Sequence, residues 1–224
     1  MTDSIAFIFD MDGTMIDNMH YHEKAWQQVF QKLGKEIPVE QLKPTLYGKN
    51  EEVIRRHFGD RFTKQEIAAF AEAKESLYRK LYKPHLRLID GLQIFLQQSF
   101  SQNISMAIAT AAELPNVNFV VDATNTRHYF NAIVTAEQTS KGKPDPEIFL
   151  MAAEQLHISP ANCIVFEDAP KGAEAAYRAG MKTVMLNTSY PDSMLGMLPN
   201  VMEVINNFKT LSPESIIRKF KMYS

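Results

Sequence analysis

The sequence predicts a doubly wound α/β sheet whose first strand is followed by an inserted block of helices. Two observations carry that prediction. Short apolar runs recur at Ile5–Phe9, Ile104–Ala109, Ala132–Thr135, Cys163–Phe166 and Thr183–Leu186. Such runs lack polar alternation, which suits strands buried on both faces of a parallel sheet covered by helices. Between Asn18 and Arg87, in contrast, no convincing strand pattern occurs.

Taken in order, Ile5-Ala-Phe-Ile-Phe9 ends abruptly in acidic and glycine residues, as a strand running into a loop would. The inserted segment then holds helical patterns over about Tyr21–Leu33, Val39–Lys43, Asn50–Phe58 and Lys64–Tyr82. In the first of these Trp26, Val29, Phe30 and Leu33 fall at helical spacing and predict a buried stripe. The sheet resumes near Ile89. Helices over Gly91–Ser99, Pro115–Asn125, Pro146–Leu156 and Ala169–Ala179 alternate with the later strands, the pattern of βαβ units. The expected division is a core of residues 1–17 and 88–224 with an insert of residues 18–87. No internal repeat, low-complexity tract or long linker interrupts it.

Composition narrows the function classes. A chain of 224 residues, 45% hydrophobic and 22% charged, is ample for a sizeable core. Its 24 basic and 26 acidic side chains give a net charge of −2, with no general attraction for nucleic acid or anionic lipid. No basic run interleaved with aromatics suggests nucleic-acid binding either. The single cysteine, Cys163, excludes an intrachain disulfide and a cysteine metal site, and its apolar run predicts a buried, inert thiol. The start Met-Thr-Asp-Ser lacks the basic residues of a secretory signal. The longest uncharged stretch, Leu92–Ala112, is broken by four glutamines, an asparagine and three serines, so it does not read as membrane-spanning. A cytoplasmic monomer without membrane or nucleic-acid partners is expected.

Ligands of an open parallel sheet bind beyond the carboxyl ends of its strands. The first strand ends in Asp10-Met-Asp12-Gly13-Thr14, the second in Thr110 and the fourth in Glu167-Asp168, while Lys141-Gly-Lys143-Pro-Asp-Pro146 follows the third. Such a set suits phosphoryl transfer. A carboxylate attacks phosphorus only where cations offset the approach of two anions, and Mg²⁺ prefers carboxylate oxygens. Asp10 is expected as nucleophile and Mg²⁺ ligand, with Asp168 completing the metal site and Glu167 in or beside it. Lys143 would screen the charges, and Thr110 would donate a hydrogen bond to a phosphoryl oxygen. Asp12, also at the metal end of the loop, would donate a proton to the leaving group and then take one from the incoming hydroxyl. Each feature alone has a plainer reading: an acidic turn, a Thr110–Glu113 capping box, a solvated lysine, carboxylates at a helix start.

Together these residues resemble the four motifs of the haloacid dehalogenase superfamily: Asp10-Met-Asp-Gly-Thr14, Thr110, Lys143 and Glu167-Asp168. Val165-Phe-Glu-Asp-Ala-Pro-Lys-Gly-Ala-Glu-Ala-Ala176 and Gly142-Lys-Pro-Asp-Pro-Glu-Ile-Phe149 place the resemblance in the β-phosphoglucomutase-like branch. The resemblance implies a Rossmann-like core, a helical cap that closes over substrate, Mg²⁺ and phosphoaspartate chemistry. It matches His22, Trp26 and Lys74 to the cap's substrate-facing positions, with Gly48 and Glu51 in the cap loop and Ala111, Ala112 and Glu113 after the second motif.

Departures from the mutase pattern bear on the reaction. Glu51 stands where a cap arginine is expected, and Ala112 and Glu113 stand where a serine and a lysine are expected. Two cations have become potential anions, which disfavours a distal phosphate. Lys49 and Arg55 are the available substitutes. The expected activity is a phosphatase of a small phosphorylated metabolite, a sugar phosphate foremost. Its rivals are β-phosphoglucomutase-like isomerisation and a non-catalytic binding role.

Overall fold

The computed structural model describes residues 4–223. It resolves into two compact units: Asn18–Leu86, and the remaining chain up to Asp17 and from Arg87 onward.

The larger unit is built on six parallel strands, β1 (Ala6–Phe9), β2 (Ser105–Ala109), β3 (Ala132–Val134), β4 (Cys163–Glu167), β5 (Lys182–Leu186) and β6 (Val201–Ile205). Their spatial order is β3-β2-β1-β4-β5-β6. The order reverses at β1, which pairs Phe9 with Ile108 on one side and Phe166 on the other. Residues just beyond these three are therefore neighbours, and Asp10 follows directly, its N–H bonded to Phe166 O at 2.9 Å.

Alternation along the strands sorts the core. Ala6, Ile8, Ala107, Ala109 and Val165 pack with Phe149 and Ala152 of α7 (Glu147–Gln155) and Ala175 and Ala176 of α8 (Pro170–Arg178). Phe7, Phe9 and Phe166 meet Phe95 of α5 (Leu92–Ser101) and Phe208, with the Phe9 and Phe166 rings stacked at 4.6 Å. Each such fully buried ring contributes about 1.5–3 kcal/mol through burial alone. This aromatic layer fixes the strand ends that carry the polar residues.

The smaller unit contains α1 (Met19–Lys32), α2 (Val39–Leu42), α3 (Asn50–Phe58) and α4 (Lys64–Tyr82). Trp26, Val29 and Phe30 are buried with Leu42, Val53, Ile54 and Ile67, and Leu33 packs half-buried against them. The helical stripe thus forms a core of its own. Thr63 caps α4 through a reciprocal pair with Glu66, whose carboxylate accepts from the Thr63 N–H at 2.8 Å.

The structure adds elements beyond those expected. β6 follows α9 (Asp192–Leu195), and α10 (Pro213–Tyr223) follows it. Val201-Met-Glu-Val-Ile205 carries a central glutamate and is only partly buried, as an edge strand tolerates. It therefore lacks the continuous apolar signature of the inner strands. One plainer reading also fails: Thr110 does not cap α6 (Leu114–Ala123), whose N-cap is Glu113.

Candidate active site

Asp10, Glu167 and Asp168 are all buried, and their oxygens lie within 4.8 Å of one another, a group able to hold a metal ion. Of the four residues expected at the metal, these three are gathered; the Asp12 carboxylate stands outside the group. Lys143 reaches the centre, with Nζ 2.5 Å from Asp10 Oδ1 and 2.6 Å from Glu167 Oε1. Glu167 Oε2 accepts from the N–H groups of Asp168 and Ala169, both at 2.7 Å. Both Glu167 oxygens are thereby engaged, which makes this residue an organiser of the loop entering α8 as well as a metal-site member.

Two glycines make the cluster possible. A Cβ on Gly13, which has φ +79°, would stand 2.0 Å from Asp168 Oδ2. One on Gly172 would stand 1.8 Å from Glu167 Oε1. Both residues keep a backbone close against a carboxylate, as only a residue without Cβ allows.

Burial sets the electrostatics. It pushes the Asp10 carboxyl up to about 8, with Glu167 and Asp12 adding and Lys143 opposing. Asp168 is likewise raised, by burial first and then by Glu167 and Asp10, while the Ser189 hydroxyl works the other way. Burial alone would pull the Lys143 ammonium down, yet its two carboxylate partners push it up, so it stays charged. Three buried carboxyls sharing one ammonium leave an excess of acid, which fits a hard divalent cation such as Mg²⁺.

Thr110 is buried in the neighbouring strand end, its N–H bonded to Val134 O. Its Oγ1 accepts from the Ala112 N–H at 3.1 Å, which leaves its own proton to donate. Ala111 and Glu113 are half-buried beside buried Ala112. Sequence reasoning missed the loop after β5. Thr188 Oγ1 donates to Gly13 O at 2.5 Å, and Ser189 lies beside Asp168. The strand-end rule, carried on to Asn187-Thr188-Ser189, would have found both. Cys163 is buried and inert, its thiol pushed up to about 12 by burial.

Within the helical unit the structure gathers His22, Trp26 and Lys74. Lys74 Nζ lies 2.7 Å from His22 Nδ1 and 2.8 Å from Glu75 Oε1, and 5.2 Å from the centre of the Trp26 ring. Lys74 is buried. Asn50 Nδ2 donates to the same Glu75 oxygen at 2.8 Å, and the His22 ring stacks on Tyr78. Glu51 is exposed and pairs with Arg55 at 2.9 Å, while Arg55 also reaches Asp60 at 2.8 Å. Gly48 sits in the preceding loop and is half-buried. Arg55 is thus committed to two carboxylates.

A parallel sheet with this carboxylate–lysine centre at its strand ends defines a phosphoryl-transfer hydrolase class. A profile of haloacid dehalogenase-like hydrolases matches residues 7–186, and the chain belongs to that family. It is 31% identical to the fructose-1-phosphate phosphatase YqaB of Escherichia coli over 80% of this chain and 94% of that one. It is 32% identical to the β-phosphoglucomutase of Bacillus subtilis over 85% and 86%. The crystal structure of β-phosphoglucomutase from Clostridium difficile superposes with a TM-score of 0.87, at 28% identity over 98% of both chains. The protein is a hydrolase-family enzyme acting on a small phosphorylated substrate through an aspartate-based site. Among the described residues no helix is long and apolar enough to cross a membrane.

Proposed function

We propose that the enzyme is a Mg²⁺-dependent phosphatase of a small phosphorylated metabolite, a sugar phosphate foremost, working through phosphorylation of Asp10. The observation that carries this reading is the shared Lys143 ammonium between Asp10 and Glu167 inside a three-carboxylate group. Asp10, Glu167 and Asp168 would hold the cation, which supplies charge neutralisation when bound.

An Asp10 carboxylate oxygen attacks phosphorus, the ester P–O bond breaks, and the leaving oxygen takes a proton from Asp12. Water then attacks the same phosphorus, gives its proton to Asp12, and breaks the bond to Asp10, releasing phosphate. Lys143 orients Asp10 and offsets the negative charge that gathers at phosphorus in both steps, and the Thr110 hydroxyl proton serves a phosphoryl oxygen. The roles of His22, Trp26, Gly48, Glu51, Lys74, Ala111, Ala112 and Glu113 lie with recognition of the rest of the substrate.

A second reading, isomerisation between hexose 1- and 6-phosphates, is favoured by the mutase relative. Against it stand Glu51 and Glu113 in place of cations, and the commitment of Arg55 to Glu51 and Asp60. A panel of phosphate esters with Mg²⁺ tests both. Free phosphate without isomerisation is expected. Conversion of β-glucose 1-phosphate to glucose 6-phosphate, dependent on a bisphosphate primer, would establish the mutase instead.

A further inference from the structure

We infer that Thr188 and Ser189, in the loop after β5, are positioning residues: they hold the Gly13 turn and the Asp168 carboxylate as one block, on which cation binding and the aim of Asp12 depend. This inference deepens the phosphatase reading and rests on it.

The strand order makes the contact a long reach. β4 lies between β1 and β5, so the loop after β5 meets the loop after β1 only by passing the end of β4, where Glu167 and Asp168 stand. Thr188 Oγ1 completes that passage and donates to Gly13 O at 2.5 Å. The next residue follows the same line. A Cβ on Gly13 would stand 2.0 Å from Asp168 Oδ2 and 3.0 Å from Ser189 Oγ, so Asp168 and Ser189 border one glycine. Ser189 Oγ is buried, and among the described residues it completes no hydrogen bond, so its proton is available to the Asp168 carboxylate.

Gly13 needs such a restraint. Only a residue without Cβ fits against Asp168, yet glycine is the residue whose backbone is least confined by its own structure. Here both of its peptide groups are tied: the N–H bonds to Ile16 O at 2.8 Å, and the carbonyl accepts from Thr188. The peptide between Asp12 and Gly13 is thereby fixed, and with it the direction in which Asp12 leaves the turn. The loop that supplies the tie is itself anchored on both sides. Asn187 N–H bonds to Ile205 O at 3.0 Å, and Asn187 Nδ2 donates to Asp192 Oδ1 at 2.8 Å. On the other side Tyr190 packs half-buried against the cluster of Ala173, Met185 and Leu195. Thr188 and Ser189 are thus held between a strand and an apolar cluster, as a residue that positions another must be.

The test compares the parent with Thr188→Val, Thr188→Ser and Ser189→Ala by Mg²⁺ calorimetry and thermal unfolding. Phosphate release from 4-nitrophenyl phosphate and from glucose 6-phosphate is measured on the same proteins. Thr188→Val keeps the shape and removes the donor; it and Ser189→Ala should each weaken Mg²⁺ binding about tenfold, the scale of losing an outer partner of a metal ligand. Thr188→Val should also lose more turnover on glucose 6-phosphate than on 4-nitrophenyl phosphate, because a sugar alkoxide needs the Asp12 proton and nitrophenolate does not. Thr188→Ser keeps the hydroxyl and should recover most of both losses. Unchanged Mg²⁺ affinity in the folded variants, even with a lowered melting temperature, would reduce the loop to a structural support and overturn the inference. Equal losses on the two esters would overturn its link to Asp12. If Thr188→Val does not fold, Ser189→Ala decides the point by its Mg²⁺ affinity. Failure of the parent to bind Mg²⁺, or to release phosphate from either ester, would overturn the phosphatase reading and this inference with it.

Discussion

Lys143 Nζ stands 2.5 Å from Asp10 Oδ1, although the two residues are 133 positions apart. The same nitrogen lies 2.6 Å from Glu167 Oε1, so one ammonium joins the ends of β1 and β4. Removing it leaves two buried carboxyls facing one another. Lys143→Ala should cost about 3–5 kcal/mol of stability in the metal-free protein, the usual result of breaking a buried pair from one side. The loss should lessen at low pH, where the carboxyls protonate. Thermal unfolding of parent and variant across pH checks this; a pH-independent difference would mean that the pair is not electrostatic.

Asp10→Asn keeps the shape and the hydrogen-bonding capacity of the side chain but removes the nucleophile. Phosphate release should fall by at least about 10⁴-fold, the scale of losing a catalytic nucleophile. Circular dichroism and steady-state turnover are the paired measurements. Retained turnover in the folded variant would rule out phosphorylation at Asp10.

The raised Asp10 carboxyl links metal binding to pH. A raised folded pKa stabilises the protein fully below the ordinary carboxyl range near 3.8, and this contribution is lost as pH rises through about 8. A cation bound by the charged carboxylate must displace that proton. Mg²⁺ affinity should therefore rise with pH up to about 8, with protons released on binding. Calorimetry in buffers of different ionisation enthalpy reads both quantities, and affinity that is flat over that range would contradict the assignment.

Gly172 sets two effects against each other. Alanine is favoured over glycine inside a helix by about 1 kcal/mol. Yet a Cβ there would fall 1.8 Å from Glu167 Oε1, and that carboxylate is held by Lys143 and by the Asp168 and Ala169 N–H groups. The steric term should win. Gly172→Ala should weaken Mg²⁺ binding and turnover by displacing Glu167, even if α8 itself gains helicity. A variant with unchanged metal affinity would show that the loop before α8 relaxes freely.

In the core, Phe9 stacks on Phe166 and touches Phe95, Phe130 and Phe208. Phe9→Ala should cost about 3–5 kcal/mol, transfer and cavity terms combined. Because Asp10 is the next residue, activity at a temperature where the variant remains folded should fall as well. Denaturant unfolding and turnover, measured together, separate the two effects.

The sequence by itself determined the class of fold and most of the carboxylate group at the strand ends. Ile5–Phe9 and Cys163–Phe166 are continuous apolar runs, and such runs have few alternatives to buried parallel strands. Once they are strands, the residues that end them must share one edge, so Asp10, Thr110, Glu167 and Asp168 were legible in order. The sequence also showed acids at Glu51 and Glu113. Tertiary structure decided what local pattern does not encode. Val201–Ile205 pairs as a strand because an edge position tolerates its central glutamate. Ser189 faces Asp168 and Glu137 faces the Leu114 N–H because strand order brings separate loops together. Lys74 is buried because His22 and Glu75 partner it, where its spacing in the helix alone allowed a solvated lysine. Hydrophobic periodicity is local and survives in the sequence; hydrogen-bond partners come from distant segments and exist only once the chain is folded.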